Sequence, residues 1–226
     1  MMVAAKAYHL PPTALIPNSP NALIHYPGLL SNESKHSPNV AATKAYDLFT
    51  SNAWEPQWIF RYGSNQRSHY HSGTHECMAV LSGSATIRFG VADLLDSDDE
   101  DIERASKEPG GVEVHAEAGD VFVIPAGVAH KTYDTVPRAD FALLTPGNGR
   151  GIDAEDKRKA LEEIQFDGFT MIGAYPNEGG QWDFAVGEQV ADEHPPKSWQ
   201  LPNPSRDPVL GIAKEGICGV WKPQEC

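Results

Sequence analysis

The sequence lacks any apolar run long enough to cross a lipid bilayer, which takes about 20 consecutive apolar residues. Its first residues, MMVAAKAYHLPPTAL, also lack the apolar segment of a secretory signal peptide. Cysteine is scarce: Cys77, Cys218 and Cys226 are an odd set that offers no disulfide framework. These three absences together predict a reduced, cytoplasmic protein without a membrane partner.

Basic residues are few relative to acids, since 18 Lys and Arg stand against 31 Asp and Glu and give a formal net charge of −13. A surface of this sign repels polyanions, so we expect neither nucleic acid nor an anionic membrane surface as a partner. The acids are unevenly spread: residues 92–111 contain eight acids and two bases. This acidic insert interrupts a strand pattern, and its composition predicts a surface loop.

No internal repeat is present, and 226 residues with 40% hydrophobic content suit a single domain. Many short alternating segments separated by turn residues predict an all-β, antiparallel jelly-roll. Helices are expected over 40–51 and 152–164, and a polar loop over 31–39. The chain divides into an N-terminal arm with a short helix (1–56), a strand-rich core that includes the acidic insert (57–145), and a helix, returning strand and irregular tail (146–226).

Two histidine clusters with regular glycine and proline spacing lie in the core. The first, GSNQRSHYHSGTHECMAVLSG at 63–83, follows the pattern G-x5-H-x-H-x4-E-x6-G. On a strand, alternate side chains share a face, so His69 and His71 point the same way. The turn-prone residues at 72–74 break that strand. Glu76 can therefore fold back towards the two histidines.

The second cluster, GDVFVIPAGVAH at 119–130, follows G-x5-P-x-G-x2-H. A strand at 121–124 ends at Pro125-Ala126-Gly127, and His130 can reach the same cavity from an opposing strand. Three imidazoles and one carboxylate form a ligand set suited to one divalent transition metal. The sequence thus predicts a metal site made by His69, His71, Glu76 and His130.

Both patterns resemble the two motifs of the cupin superfamily. They depart from it at one position, where the usual H-x3-N ends in Asp134; that asparagine is generally not a ligand. The phrases IPNSPNALIHYPG, HYHSGTHE, VIPAGVAHK, IGAYPNEGGQWDF and DPVLG…GVWK resemble the stand-alone YjlB-like cupins of bacteria and fungi. The resemblance implies a single cupin jelly-roll β-barrel over 1–226, a bound metal and a homodimer, but no established reaction.

Other residues near the motifs allow more than one interpretation. His75 could replace Glu76 as a ligand because it lies four residues from His71, but strand parity turns it away from Glu76. We therefore expect His75 to hydrogen-bond or pack behind the ligands. Met78 and Val80 share the face of Glu76 and, with Phe122, are expected to line the cavity floor; ordinary core packing is the alternative.

The metal could be Fe, Mn, Ni, Co, Cu or Zn, and four protein ligands leave two positions open in octahedral geometry. Open positions favour an enzyme that acts on a small organic molecule, most directly by oxygen-dependent, dioxygenase-like oxidation, with Glu76 as a possible general base. A metal-dependent isomerase or lyase acting on a sugar or keto acid is an alternative, and a non-catalytic cupin that binds a small molecule is another. A cavity open to small molecules would favour catalysis, whereas a closed apolar cavity would favour the non-catalytic protein.

Overall fold

The computed structural model describes residues 4–95, 105–187 and 196–221. The strands are β1 (Lys6–Tyr8), β2 (Leu23–Tyr26), β3 (Trp54–Arg61), β4 (Glu76–Ser82), β5 (Ser84–Phe89), β6 (Val112–Glu117), β7 (Val121–Ile124), β8 (His130–Val136), β9 (Ala142–Leu143) and β10 (Thr170–Pro176). The α-helices are α1 (Ser31–His36), α2 (Pro38–Ser51), α3 (Lys157–Glu162) and α4 (Ile217–Val220), and a 3-10 turn spans Lys197–Gln200. Within these ranges no helix is both long enough and apolar enough to cross a membrane.

Two antiparallel sheets form the framework. The larger sheet has the order β1-β2-β7-β4-β10-β3-β9, and the smaller has the order β6-β5-β8. Their facing sides pack together through an apolar cluster that includes Val80, Phe122 and Ile87. The predicted all-β jelly-roll is confirmed. In the described residues it consists of two facing sheets, which backbone hydrogen bonds do not join into one continuous barrel. Residues 96–104 of the acidic insert lie outside those residues, so the predicted surface loop is not tested there.

Strand β4 is buried on both faces, and its side chains alternate between two cores. Cys77, Ala79 and Leu81 pack in the cluster beneath α2 and the C-terminal segment. Met78 and Val80 point the other way, into the space between the sheets. Because successive strand residues face opposite sides, Glu76 shares the inter-sheet side. The parity that the sequence predicted for this strand is therefore present.

Two helices differ from the sequence prediction. A loop was expected over 31–39, but α1 forms there with Glu33 in its first turn and Lys35 and His36 in its last, which complements the helix dipole. This helix buries none of its side chains, so it leaves no apolar periodicity in the sequence. The helix expected over 152–164 is only α3, because the Asp156 side chain accepts the Lys159 N–H at 3.0 Å and caps it.

One glycine lets the sheet form beside the cavity described below. Gly173 of β10 pairs with Trp58 of β3, and a Cβ at this position would lie 2.0 Å from the Trp58 ring. The indole, which is only 3% exposed, thus occupies the space that any larger residue would need. Gly173 is required here for space and not for backbone conformation.

We expect Gly173→Ala to lower the free energy of unfolding by about 1–3 kcal/mol, because the new methyl group must displace a packed indole. Gly63→Ala is the matched control, since a Cβ at that position meets nothing closer than 3.6 Å. Urea unfolding followed by far-UV circular dichroism measures both. Equal stability of the two variants would contradict this account of Gly173.

Candidate metal centre

Backbone pairing brings the two histidine clusters together. The His69 N–H donates to the His130 carbonyl at 3.1 Å, and the His130 N–H donates back to the His69 carbonyl at 2.8 Å. The Gly127 N–H also donates to the His71 carbonyl, at 2.8 Å. This antiparallel bridge sets the His69 and His130 rings side by side, with centroids 4.3 Å apart.

Each of the three imidazoles faces a backbone carbonyl with Nδ1. For His69 and His130 the carbonyl is that of the residue two positions earlier, at 3.1 and 3.4 Å, and for His71 it is that of Asp183. A carbonyl can only accept a hydrogen bond, so each Nδ1 carries a proton. The Nε2 atoms are therefore the ones available to a metal, which is the orientation that outer hydrogen bonds give to metal-binding histidines.

The available atoms converge. Among the described residues, one ligand atom from each of His69, His71 and His130 forms a buried set in which every pair lies within 4.8 Å. Glu76 is outside that set but adjacent to it: its two carboxylate oxygens lie 3.3 Å from His71 Nε2 and 3.3 Å from His130 Nε2. His71 Nε2 and Glu76 Oε2 are buried without a hydrogen-bond partner, as expected of atoms placed to share a cation.

The electrostatics of the cluster also suit a cation. Burial raises the pKa of Glu76, but His71, His130 and the Tyr175 hydroxyl outweigh it and lower the pKa to about 2. Burial lowers the pKa of His130 to about 4, and burial with the neighbouring imidazoles lowers that of His69. The pKa of His71 is raised, because the Glu76 charge outweighs the effect of burial. The carboxylate is thus ionised, the His69 and His130 imidazoles are neutral, and the Glu76 charge favours a cation at His71.

Hydrogen bonds from Tyr175, and through it from Trp58, hold the Glu76 carboxylate in place. The Tyr175 hydroxyl donates to Glu76 Oε1 at 2.6 Å, and the Trp58 indole N–H donates to the Tyr175 oxygen at 3.1 Å. These two hydrogen bonds fix Oε1, which lies beside His71 Nε2, and leave Oε2 beside His130 Nε2. Sequence reasoning missed Tyr175, which lies 99 positions from Glu76.

A short segment at 181–186, here called the cover segment, closes one side of the cluster. The Asp183 carboxylate accepts the Ser72 N–H and hydroxyl, both at 2.7 Å, while its own carbonyl faces His71. Phe184 stacks on the His69 ring with centroids 3.8 Å apart. The cover segment therefore touches two of the three histidines. Its sequence, QWDFAV, falls partly in a phrase of the family resemblance, but nothing in the sequence alone assigned it this position.

A cavity of about 120 Å³ opens onto Glu76 and the three histidines. Met78, Val80 and Phe122, expected to line its floor, are fully buried in the core between the sheets and do not line this cavity. Phe122 instead stacks on His25, with centroids 4.4 Å apart. The walls come from larger side chains, among them Trp58 on β3, Tyr175 on β10 and Phe184 in the cover segment.

His75 and Asp134 have identifiable structural roles. His75 Nδ1 accepts the Ala126 N–H at 3.0 Å, and its ring packs 4.9 Å from that of Trp221, on the side away from the cluster. It thus supports the turn that precedes His130 and does not join the converging set. Asp134 adopts a positive φ of 53°, which Asp and Asn tolerate better than most residues. The departure from the motif keeps this backbone conformation accessible.

The whole chain has a bacterial counterpart. It is 26% identical over 221 residues to the uncharacterized protein YjlB of Bacillus subtilis (strain 168), covering 96% of both proteins. This similarity along the full length supports the cupin relationship indicated by the two motifs. No family model matches the chain.

Solved structures give only weak similarity. The non-heme alpha ketoglutarate dependent epimerase SnoN from nogalamycin biosynthesis is 8% identical with a TM-score of 0.28, over 84% of this chain and 76% of that one. An 11S globulin from Wrightia tinctoria is also 8% identical with a TM-score of 0.28, over 59% of this chain. The chain spans only 21% of that globulin's length. TM-scores this low support no argument about function.

We expect His71→Ala to lower divalent-metal affinity at least about tenfold, because a converging imidazole is lost. His115→Ala is the control, because the His115 side chain on β6 is 64% exposed, whereas the three clustered histidines are buried. Metal content is measured by mass spectrometry after equilibrium dialysis, and only His71→Ala should show a loss. Full occupancy in the His71→Ala variant would remove His71 from the ligand set.

Asp183 is not a proposed metal ligand, but Asp183→Ala should lower metal affinity by about tenfold. The Asp183 carbonyl orients His71, and without the carboxylate it loses the two hydrogen bonds from Ser72 that hold it in place. Asp183→Asn keeps one acceptor for the Ser72 donors and should recover part of the loss. The same dialysis experiment measures both, with thermal unfolding as the check on folding. Wild-type affinity in Asp183→Ala would show that the cover segment does not orient His71.

Proposed function

We propose that this protein is a metal-dependent enzyme that acts on a small organic molecule by oxygen-dependent oxidation. The proposal is carried by one arrangement: three imidazoles whose Nδ1 atoms face backbone carbonyls and whose Nε2 atoms converge beside an ionised carboxylate, at the end of an open cavity. His69, His71 and His130 would hold the metal, and Glu76 would complete the set.

Neutral imidazoles and a single carboxylate suit Fe, Mn, Ni, Co, Cu or Zn more than Mg or Ca, which prefer oxygen ligands. When bound, such a metal supplies a Lewis acid or an electron donor to a small molecule in the cavity. The histidines are buried, so water reaches them only through the cavity mouth. Because little water screens them, charges near the ligands interact more strongly than they would in solvent.

The placement of Glu76 favours oxidation over isomerisation or elimination. Those reactions need a mobile general base that removes a proton from substrate carbon. Glu76 is the sole carboxylate that lines the cavity in the described residues, and Tyr175 and Trp58 hold its Oε1 in place. Its low pKa also makes it a weak base. An open cavity, together with a carboxylate restricted to a ligand role, supports the oxidase-type reaction.

The similarity to YjlB and the two motifs support assigning the chain to the stand-alone YjlB-like cupins as part of the same proposal. That assignment supplies no substrate, and the cavity and the ligand set are what support the proposed reaction.

The proposal can be tested without knowing the substrate. We expect the protein reconstituted anaerobically with Fe(II) to bind about one metal per chain and to give the electron paramagnetic resonance signal of an iron–nitrosyl complex with nitric oxide, because the four-ligand set leaves positions open. His115→Ala should keep that signal and His71→Ala should lose it.

Metal binding without a nitrosyl signal would mean a closed coordination sphere and would overturn the catalytic proposal in favour of a structural metal. Absence of stoichiometric metal binding with any of the six metals would overturn the metal site itself.

A further inference from the structure

We propose that the cavity beside the metal cluster binds a planar molecule about the size of one ring that carries a phenol or enol oxygen, and that the Tyr62 hydroxyl contacts that oxygen. This inference rests on the proposed metal site and names the substrate class that the site would take. It is carried by the size of the cavity, the chemistry of its walls and the few polar groups that face it.

The cavity has room for one ring. Its volume is about 120 Å³. An apolar protein cavity of about 150 Å³ is known to bind benzene, so this space matches one six-membered ring with few substituents. Its mouth is formed by side chains that can move, because Phe141 and Phe184 are 60% and 50% exposed.

The walls are aromatic. Seven aromatic side chains line the cavity: Trp58, Phe60, Tyr62, Phe141, Tyr175, Trp182 and Phe184. They also contact one another, with Phe60 and Phe141 stacked at 5.1 Å and Tyr175 and Trp182 near-parallel at 6.3 Å. Ring faces and edges of this kind favour planar, polarisable ligands over saturated ones of equal size.

Outside the metal cluster, Tyr62 contributes a hydroxyl to the cavity wall that no described residue pairs. It is 4% exposed and lines the cavity, and its hydroxyl makes no hydrogen bond within the described ranges. The other wall hydroxyl, that of Tyr175, is committed to Glu76 and Trp58. Gln66 also lines the cavity, and its side-chain oxygen accepts a hydrogen bond from the Thr132 N–H at 3.3 Å. A buried hydroxyl without a partner is expected to gain one from a ligand.

The same walls disfavour the other substrate classes. A sugar would bring several hydroxyls into a cavity that offers few partners, and each unpaired hydroxyl costs about tenfold in affinity. A di- or tricarboxylate needs cationic side chains, and none of the described lining residues is Lys or Arg. Arg150 stacks on Trp182 at 4.4 Å but is not among the residues lining the cavity. A divalent metal with Glu76 leaves one net positive charge, which matches one phenolate or enolate.

The test uses phenol and catechol as probes, with cyclohexanol, xylose and malonate as controls of similar size but different chemistry. Binding to the zinc-loaded and metal-free protein is followed by the fluorescence of Trp58 and Trp182 in the wall and by calorimetry. We expect the zinc-loaded protein to bind phenol at least about fivefold more tightly than cyclohexanol, and xylose and malonate more weakly still. Zinc content is measured after each titration, because catechol can remove metal.

Tyr62→Phe should weaken phenol binding by about fivefold to tenfold, the effect of one lost hydrogen bond. Tyr46→Phe, a change on α2 outside the cavity, is the matched control. Trp182→Ala provides a second wall variant if Tyr62→Phe folds poorly, and it should also weaken phenol binding.

The outcomes separate this inference from the proposed function. If the protein takes up zinc but binds cyclohexanol or xylose as well as phenol, the substrate class is overturned and the metal site stands. If the protein takes up no zinc, the metal site fails, while preference of the metal-free protein for phenol over cyclohexanol still supports the cavity chemistry. Phenol binding unchanged in both Tyr62→Phe and Trp182→Ala would place the probe elsewhere and overturn the inference.

Discussion

The antiparallel bridge between His69 and His130 is the constraint on which the candidate site depends. It joins a segment outside the named strands to the first residue of β8, so the first cluster is aligned residue by residue with the second. The turn before His130 makes this possible: Gly127 has a φ of +85°, and a Cβ there would lie 2.6 Å from the Ser198 hydroxyl. Glycine is therefore required in the second motif for both backbone conformation and space. A one-residue slip in this pairing would turn one imidazole away from the others, because neighbouring strand residues face opposite sides.

Glu76 sets the electrostatic balance around that bridge. A buried carboxylate without partners costs several kcal/mol, and here Tyr175 and His71 provide what solvent cannot. The Glu76 charge favours positive charge at His71 and so raises the pKa of that ring. A divalent metal and a proton would compete for His71 Nε2, because a histidine nitrogen must be unprotonated to bind a metal.

The sequence was sufficient where the relevant signal is local. Strand parity placed Glu76 and Met78 on one side of β4 and Cys77 on the other. The turn residues at 72–74 and 125–127 indicated where a strand ends in each motif. Tyr175, Asp183 and Tyr62 gave no such signal, because each acts on a residue far away in the chain or on the cavity itself. Met78 shows the limit of parity: a side chain can lie on the correct face and still be too deep to reach the cavity. Helix α1 was missed for the opposite reason, since it buries nothing and leaves no periodic pattern.

The cover segment links access to the cavity with the orientation of a histidine, and the strength of its attachments decides how a ligand enters. At least seven hydrogen bonds hold it in the described residues. Two join Tyr70 and Ala185, two run from Ser72 to the Asp183 carboxylate, and one joins His71 to the Asp183 carbonyl. The other two involve Trp182, whose carbonyl accepts from Arg150 and whose indole N–H donates to the Gly149 carbonyl. At roughly 1 kcal/mol each, lifting the whole segment would cost about 7 kcal/mol and would populate the open form in about one molecule in a hundred thousand. It would also remove the carbonyl that orients His71, so the open form would be the one least able to hold a metal. Rotation of Phe141 and Phe184 at the mouth breaks none of these bonds, and their exposure leaves room for it. Entry through the mouth therefore keeps the hydrogen bonds that orient His71 and, at the metal ligands, breaks only the stacking of Phe184 on His69.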